Sequence, residues 1–93
     1  DYESELFRLK GELLMDTSHA DTEKCFKKAI EISQKQGAKS LELRAVISLC
    51  RLKQKQDKTE EAKQMLSEIY GWFTEGFETA DLKDAKILLK KFD

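Results

Sequence analysis

The chain has 93 residues, with 17 Lys and Arg against 18 Asp and Glu and a formal net charge of -1. This balance leaves no broad basic surface, so we expect no nucleic-acid partner and no binding to an anionic membrane. Proline is absent and glycine occurs only four times, which favours helices over sheets and long loops. We therefore predict a single all-α domain over residues 1–93.

The two cysteines, Cys25 and Cys50, lie inside helical patterns. They do not form the closely spaced sets of a disulfide framework or a zinc site, and are typical of buried thiols in a reducing compartment. We predict a cytoplasmic location. The chain begins DYESELF, with neither an initiator methionine nor a signal-peptide pattern, so we expect it to be a piece of a larger protein.

The first two helices are predicted from apolar residues at helical spacing. In the first helix, which ends near Met15, those residues are Tyr2, Leu6, Leu9 and Leu13. The polar segment DTSHADT then interrupts the pattern, and Asp21 or Thr22 is expected to cap the second helix. Gly37 is expected to end that helix as its C′ residue.

Three more helices follow along the chain. The third begins at about Ser40 and is interrupted by the polar segment KQKQDK. Asp57 and Glu60 form a pair that resembles a capping box, which predicts the start of the fourth helix. Gly71 is expected to end or kink the fourth helix, and Thr79 to cap the fifth.

The helices repeat along the chain. The segment GELLMDTSHADTEKCFKKAIEI aligns with CRLKQKQDKTEEAKQMLSEIYG when the second receives one extra residue between its helices. Phe26 and Leu66 are then equivalent and lie 40 residues apart. Gly11 and Cys50 are also equivalent, and their small size predicts a close approach of two helices.

This pattern resembles the tetratricopeptide repeat. The positions that match it in type are Phe7, Gly11, Leu14, Phe26 and Ala29 in the first unit and Leu49, Ala62, Leu66 and Ile69 in the second. Lys10, Lys53 and Thr22 depart from the pattern, the closing proline is missing, and the period is longer than usual. The resemblance implies a right-handed α-solenoid fragment with hairpins over about 2–36 and 40–71, and a capping loop and helix over about 72–92.

The segment YGWFTEGFETADLKDAKILL adds a second resemblance. It is similar to the C-terminal end of large repeat-bearing signalling proteins of the adenylate or guanylate cyclase, kinase and predicted-ATPase types. That resemblance implies a non-catalytic module for protein–protein or interdomain contact at the C-terminal end of a cytoplasmic multidomain protein. Its partners would be a protein, a peptide or other domains of the same chain.

Three aromatic residues, Trp72, Phe73 and Phe77, cluster in this segment. We expect them to cap the open end of the last hairpin, because a terminal repeat must cover its apolar face. The alternative is an exposed aromatic anchor for a partner. Strong exposure of Trp72 would favour the anchor.

The tetratricopeptide resemblance also implies a ligand groove lined by the first helix of each hairpin. The residues at groove positions are Arg8, Glu12, Arg44, Ile47 and Arg51. Arg44 and Arg51 are two helical turns apart, so both could clamp a carboxylate of a peptide or neighbouring domain. The alternative is that they pair with Glu42 or with other nearby acidic residues.

No recognisable catalytic constellation occurs in the sequence. His19 is the only histidine, and the acidic run of Glu75, Glu78, Asp81 and Asp84 suits capping of the last helix. We predict no enzymatic activity, no cofactor and no metal site. Two alternatives remain open for the function, a homo-oligomerisation element, for example a homodimer through the N-terminal face of the first hairpin, and a free-standing peptide-binding adaptor.

Overall fold

The computed structural model describes residues 2–93 and contains five α-helices in that range, with no strand. The helices are α1 (Glu3–Leu14), α2 (His19–Lys35), α3 (Lys39–Lys55), α4 (Thr59–Tyr70) and α5 (Ala80–Phe92). Short loops join the first four helices, and such loops bring each helix back alongside the one before it. The predicted all-α fold is confirmed.

Helix α3 is the centre of the structure, because it contacts each of the other four helices. One of its faces packs on α4 and α5 in the main apolar core. The α3 residues in that core are Leu43, Val46, Ile47 and Cys50. The opposite face packs on α2, where Leu49 and Leu52 meet Phe26. Apolar burial on both sides therefore fixes α3 between its neighbours.

Helix α1 packs through small residues. Only Ser4 and Gly11 of this helix are buried, and the Ser4 hydroxyl donates to the carbonyl oxygen of Ala29 at 2.9 Å. A Cβ atom at position 11 would lie 2.5 Å from the ring of Phe26. The predicted close approach at Gly11 is confirmed, whereas the periodic residues Tyr2, Leu6, Leu9 and Leu13 are exposed.

Gly11 and Cys50, the two predicted small positions, each take part in a hydrogen bond between paired helices. Gly11 accepts its hydrogen bond, whereas Cys50 donates. In the first pair of helices the Thr22 hydroxyl donates to the carbonyl oxygen of Gly11 at 3.2 Å. In α3 and α4 the Cys50 thiol donates to the carbonyl oxygen of Ala62 at 3.3 Å. Burial raises the pKa of the Cys50 thiol to about 12, so this group stays protonated at neutral pH.

Helices α2 and α3 end in the same backbone geometry. Gly37 has φ +65. Its N–H donates to the carbonyl oxygen of Gln34, and the N–H of Ala38 donates to the carbonyl oxygen of Ser33. This is the Schellman arrangement, and the predicted role of Gly37 is confirmed. Asp57 occupies the corresponding place after α3, with φ +59. It is therefore a left-handed C′ residue.

Both N-cap predictions for the interior helices are wrong. Ser18 caps α2, since its hydroxyl accepts from the N–H of Asp21 at 3.1 Å. Thr22 is instead buried against Gly11. Helix α4 has Lys58 at its N-cap and no capping bond from a side chain, because Asp57 is used to end the preceding helix.

The last two helix boundaries agree with the sequence. Gly71 is the C-cap residue of α4, and Thr79 occupies the N-cap position of α5 with an extended backbone. The Thr79 side chain makes no capping hydrogen bond. The loop 71–79 therefore separates α4 from α5 and carries the aromatic cluster.

Replacing Asp57 by glycine should stabilise the fold. An L-residue in the left-handed region costs about 1–2 kcal/mol, and this strain outweighs the roughly 0.5–1 kcal/mol that glycine loses through its greater freedom when unfolded. We expect Asp57→Gly to raise the free energy of unfolding by about 0.5 kcal/mol in urea titrations. The matched variant Gly37→Ala should lower the free energy of unfolding. If both variants changed this free energy in the same direction, the left-handed geometry at the two positions would be contradicted.

Gly11→Ala should destabilise the protein, although alanine favours helices over glycine by about 1 kcal/mol. The new Cβ atom would overlap the Phe26 ring, and overpacking of this kind costs about 1–3 kcal/mol. Urea unfolding of the single variant measures the net loss. In a Phe26→Leu background the same substitution should cost less, because the shorter side chain leaves room.

Candidate interaction surface

Arg44 joins three helices through one guanidinium group. Its Nη1 donates to Glu5 Oε1 of α1 at 2.7 Å. Its Nε and Nη2 donate to Asp81 Oδ2 of α5 at 3.1 and 3.0 Å. The planar guanidinium suits this role, because its N–H groups point in fixed directions towards two carboxylates. Arg44 therefore ties the ends of α1 and α5 to the middle helix.

The hydrogen bonds of this network shift the pKa values of Glu5 and Arg44 in the directions that favour their charged forms. The pKa of Glu5 lies below its usual value, first because Arg8 donates to its carboxylate and then because Arg44 does, while partial burial opposes the shift. The pKa of Arg44 is raised by the hydrogen bonds to Glu5 and Asp81. Glu5 and Arg44 are thus both held in their charged forms at neutral pH.

The other arginines predicted for the groove also face carboxylates of the chain. Arg8 Nε lies 2.8 Å from Glu5 Oε2, and its Nη1 lies 3.9 Å from Glu12 Oε2. Arg51 lies 4.0 Å from Asp84, and both side chains are half exposed. At that distance and exposure the contact between Arg51 and Asp84 contributes little to stability.

Ile47 differs from the other four predicted groove residues. It is 3% exposed and belongs to the apolar core, so it offers no surface to a ligand. Glu42 does not pair with Arg44 or Arg51. It lies 3.2 Å from Lys39 and accepts a hydrogen bond from Gln34. The acidic partners of Arg44 come instead from the two outer helices.

A cavity of about 550 Å³ opens beside Arg44. It lies between the start of α3, the loop 71–79 and the start of α5. The apolar residues on its walls are Leu43, Trp72, Phe73, Ala80 and Leu82, and its charged residues are Arg44, Glu75 and Asp81. We refer to it as the Trp72 cavity. Its size and its mixture of apolar walls with a few charged groups are common in ligand sites.

The three clustered aromatic residues have different surroundings. Phe73 is partly buried against the core. Trp72 is 57% exposed, meets Phe73 edge to face with 5.1 Å between ring centroids, and has Lys39 Nζ 5.5 Å from its own ring centroid. Phe77 is also exposed and lies beside Tyr70. Of the three, only Phe73 packs on the core, whereas Trp72 and Phe77 are exposed.

The remaining candidate groups are dispersed on the surface. His19 is exposed at the start of α2. No group of three or more His, Cys, Asp or Glu side chains suited to a metal ion occurs within residues 2–93. Over the same residues, none of the helices has the length and apolar character that crossing a bilayer requires.

Glu5 and Asp81 were not predicted from the sequence as the partners of Arg44. A signal for Glu5 was present, because Glu5 and Arg44 are 39 residues apart, the same separation as Gly11 and Cys50. Residues at this separation lie on α1 and α3, which are in contact, and their opposite charges can then pair. Asp81 lies beyond the second unit and had no comparable signal.

Comparison of the chain with protein families, with curated proteins and with solved structures finds no match.

Removing the Arg44 guanidinium should weaken the fold in a manner that depends on pH and salt. Because Arg44 is 40% exposed, we expect Arg44→Met to lower the free energy of unfolding by only about 1 kcal/mol at neutral pH and low salt. The folded-state pKa of Glu5 is lowered, so the ionic stabilisation is present above the unfolded value of 4.5 and is lost as pH falls through the folded value.

Urea titrations of the wild type and Arg44→Met at several pH values measure this difference. It should shrink below pH 4.5 and at high salt, where screening is strong. The matched variant Arg51→Met should change stability little. An Arg44→Met effect that is the same at acidic and neutral pH would show that the guanidinium acts through packing alone.

Proposed function

We propose that this chain is a non-catalytic interaction module that binds a protein segment at the Trp72 cavity. The observation that carries the proposal is a tryptophan 57% exposed on the wall of a cavity of about 550 Å³. Tryptophan is enriched among the residues that dominate binding energy at interfaces. Contact with a partner would bury the exposed part of its indole ring.

The chemistry of the walls favours one kind of ligand side chain. Trp72 and Phe73 provide an apolar surface that suits an aliphatic or aromatic group, whereas Leu43 and Leu82 on the same walls are almost fully buried. Glu75 adds negative charge at the same cavity, which favours a neighbouring lysine or arginine in the ligand, whereas Asp81 is already paired with Arg44. A ligand carboxylate is less favoured, because Glu5 and Asp81 already neutralise Arg44.

The finer architecture that we propose is a divergent tetratricopeptide-like α-solenoid fragment of two hairpins and a closing helix. The matched hydrogen bonds at Gly11 and Thr22 and at Cys50 and Ala62 support an internal repeat. We further propose that the module lies at the C-terminal end of a cytoplasmic signalling or regulatory protein of the cyclase, kinase or ATPase type. This part rests on the resemblance of the segment YGWFTEGF. The coding region on both sides of the chain tests it, and a start codon immediately before Asp1 would contradict it.

Selection of ligands from a random peptide library tests the Trp72 cavity directly. Peptides that bind the wild type at the cavity should survive counter-selection on Trp72→Ala, because the variant lacks the indole ring that they contact. The enriched peptides should carry an apolar side chain next to a lysine or arginine. In calorimetric titrations, Trp72→Ala should reduce the binding free energy of a selected peptide by about 2 kcal/mol or more, which is the loss typical of a dominant interface residue.

The matched control is Ile87→Ala, since Ile87 is 56% exposed on α5 but does not line the cavity. This variant should bind the selected peptides like the wild type. Peptides that bind the wild type and Trp72→Ala equally well would contradict the assignment of the cavity as the binding site.

A further inference from the structure

The outer face of α1 carries an exposed row of large apolar residues. Their exposed fractions are 83% for Tyr2, 64% for Leu6, 50% for Leu9 and 85% for Leu13. We call these four residues the α1 stripe. They recur at the spacing of one helix face, and the buried Ser4 and Gly11 lie on the other side of the helix. A contiguous apolar row of this kind marks an interaction surface.

The matching face of α3 shows what kind of element covers such a row. With Gly11 equivalent to Cys50, the stripe residues Leu6, Leu9 and Leu13 correspond to Ala45, Ser48 and Leu52. All three of these α3 residues are buried, and Leu52 packs with Phe26 of α2. The face of α3 that corresponds to the stripe is therefore covered by a helix.

We propose that a second copy of this chain covers the α1 stripe, with the two α1 helices antiparallel about a two-fold axis. Leu6 and Leu9 lie equally far on either side of the point midway between residues 7 and 8, and so do Tyr2 and Leu13. In an antiparallel pair centred there, Leu6 meets Leu9 of the second copy and Tyr2 meets Leu13. The stripe is thus complementary to itself, as a two-fold interface requires.

Charges beside the stripe suit the same arrangement. Glu3 and Lys10 lie on one flank of α1, on the same side of the stripe. In the antiparallel pair, Lys10 of one copy and Glu3 of the second copy are offset along the helix axis by two residues, or about 3 Å. Two equivalent ion pairs result. On the other flank Arg8 already counters the charge of Glu5 and Glu12.

Sedimentation equilibrium of the 93-residue chain over the micromolar range tests this proposal. The apparent mass should rise with concentration from the monomer value of 10.8 kDa to twice that value. Leu9→Glu places a charge at the centre of the apolar contact and should weaken dimerisation at least about tenfold. Because Leu9 is half exposed, this variant should retain the helical circular dichroism of the wild type.

Two controls locate the interface. Ile87→Glu alters an equally exposed apolar residue on α5 and should leave the dimer intact. Trp72→Ala should also leave it intact, so that this proposal and the peptide-binding proposal succeed or fail separately. A chain that stays monomeric at every concentration, or a dimer that resists Leu9→Glu, would overturn the proposal.

Charge reversal tests the antiparallel arrangement. Lys10→Glu should weaken the dimer severalfold, because each copy then opposes two carboxylates across the interface. Adding Glu3→Lys should restore the affinity, since both ion pairs re-form with exchanged signs. A double variant that dimerises no better than Lys10→Glu alone would overturn the antiparallel pairing.

Discussion

Helix α3 has to bury two opposite apolar faces at once, and the positions of the other four helices follow from that requirement. Leu43 and Leu52 illustrate the two faces, one in the core with α4 and α5 and the other against α2. Complete burial of a leucine is worth about 1.5–3 kcal/mol, so neither face can be left in water without a large loss. The edge of α3 that remains carries Arg44, which binds the outer helices by charge instead of apolar contact.

The same requirement explains why the two candidate contact surfaces lie where they do. Helix α1 meets α2 through Ser4 and Gly11, small residues that bury little apolar area. The large apolar side chains of the α1 stripe remain exposed on the outer face. At the other end, Phe73 completes the core while Trp72 next to it stays exposed. Both surfaces thus contain apolar groups that the internal packing of this chain leaves largely exposed.

The helices themselves were predictable from the sequence, because apolar periodicity and Gly37 mark them locally. The N-cap residues were not, since Thr22 could equally cap a helix or donate to a neighbouring carbonyl, and only the close approach at Gly11 decides between them. Asp57 presented a similar ambiguity between starting one helix and ending another. Periodicity located α1 but could not show that its apolar row faces outward, because that depends on which side meets α2.

The candidate site was less predictable than the fold. Arg44 was identified from its position, but its acidic partners lie on two other helices and become neighbours only after folding. Ile47 shares the helix face expected for a groove, yet the packing of α4 and α5 buries it. The choice between a cap and an anchor for Trp72 depends on the conformation of the loop 71–79, which carries no periodic pattern.

Collisional quenching by acrylamide of the fluorescence of Trp72, the only tryptophan in the chain, measures whether this side chain lines an open cavity. If the loop leaves this indole exposed beside the cavity, the folded chain should emit like a hydrated tryptophan. Its quenching constant should then lie at about half or more of the value in denaturant, in line with the 57% exposure. Blue-shifted emission with weak quenching in the folded chain would show that Trp72 is buried as a cap, and would contradict the claim that it forms the wall of a binding cavity.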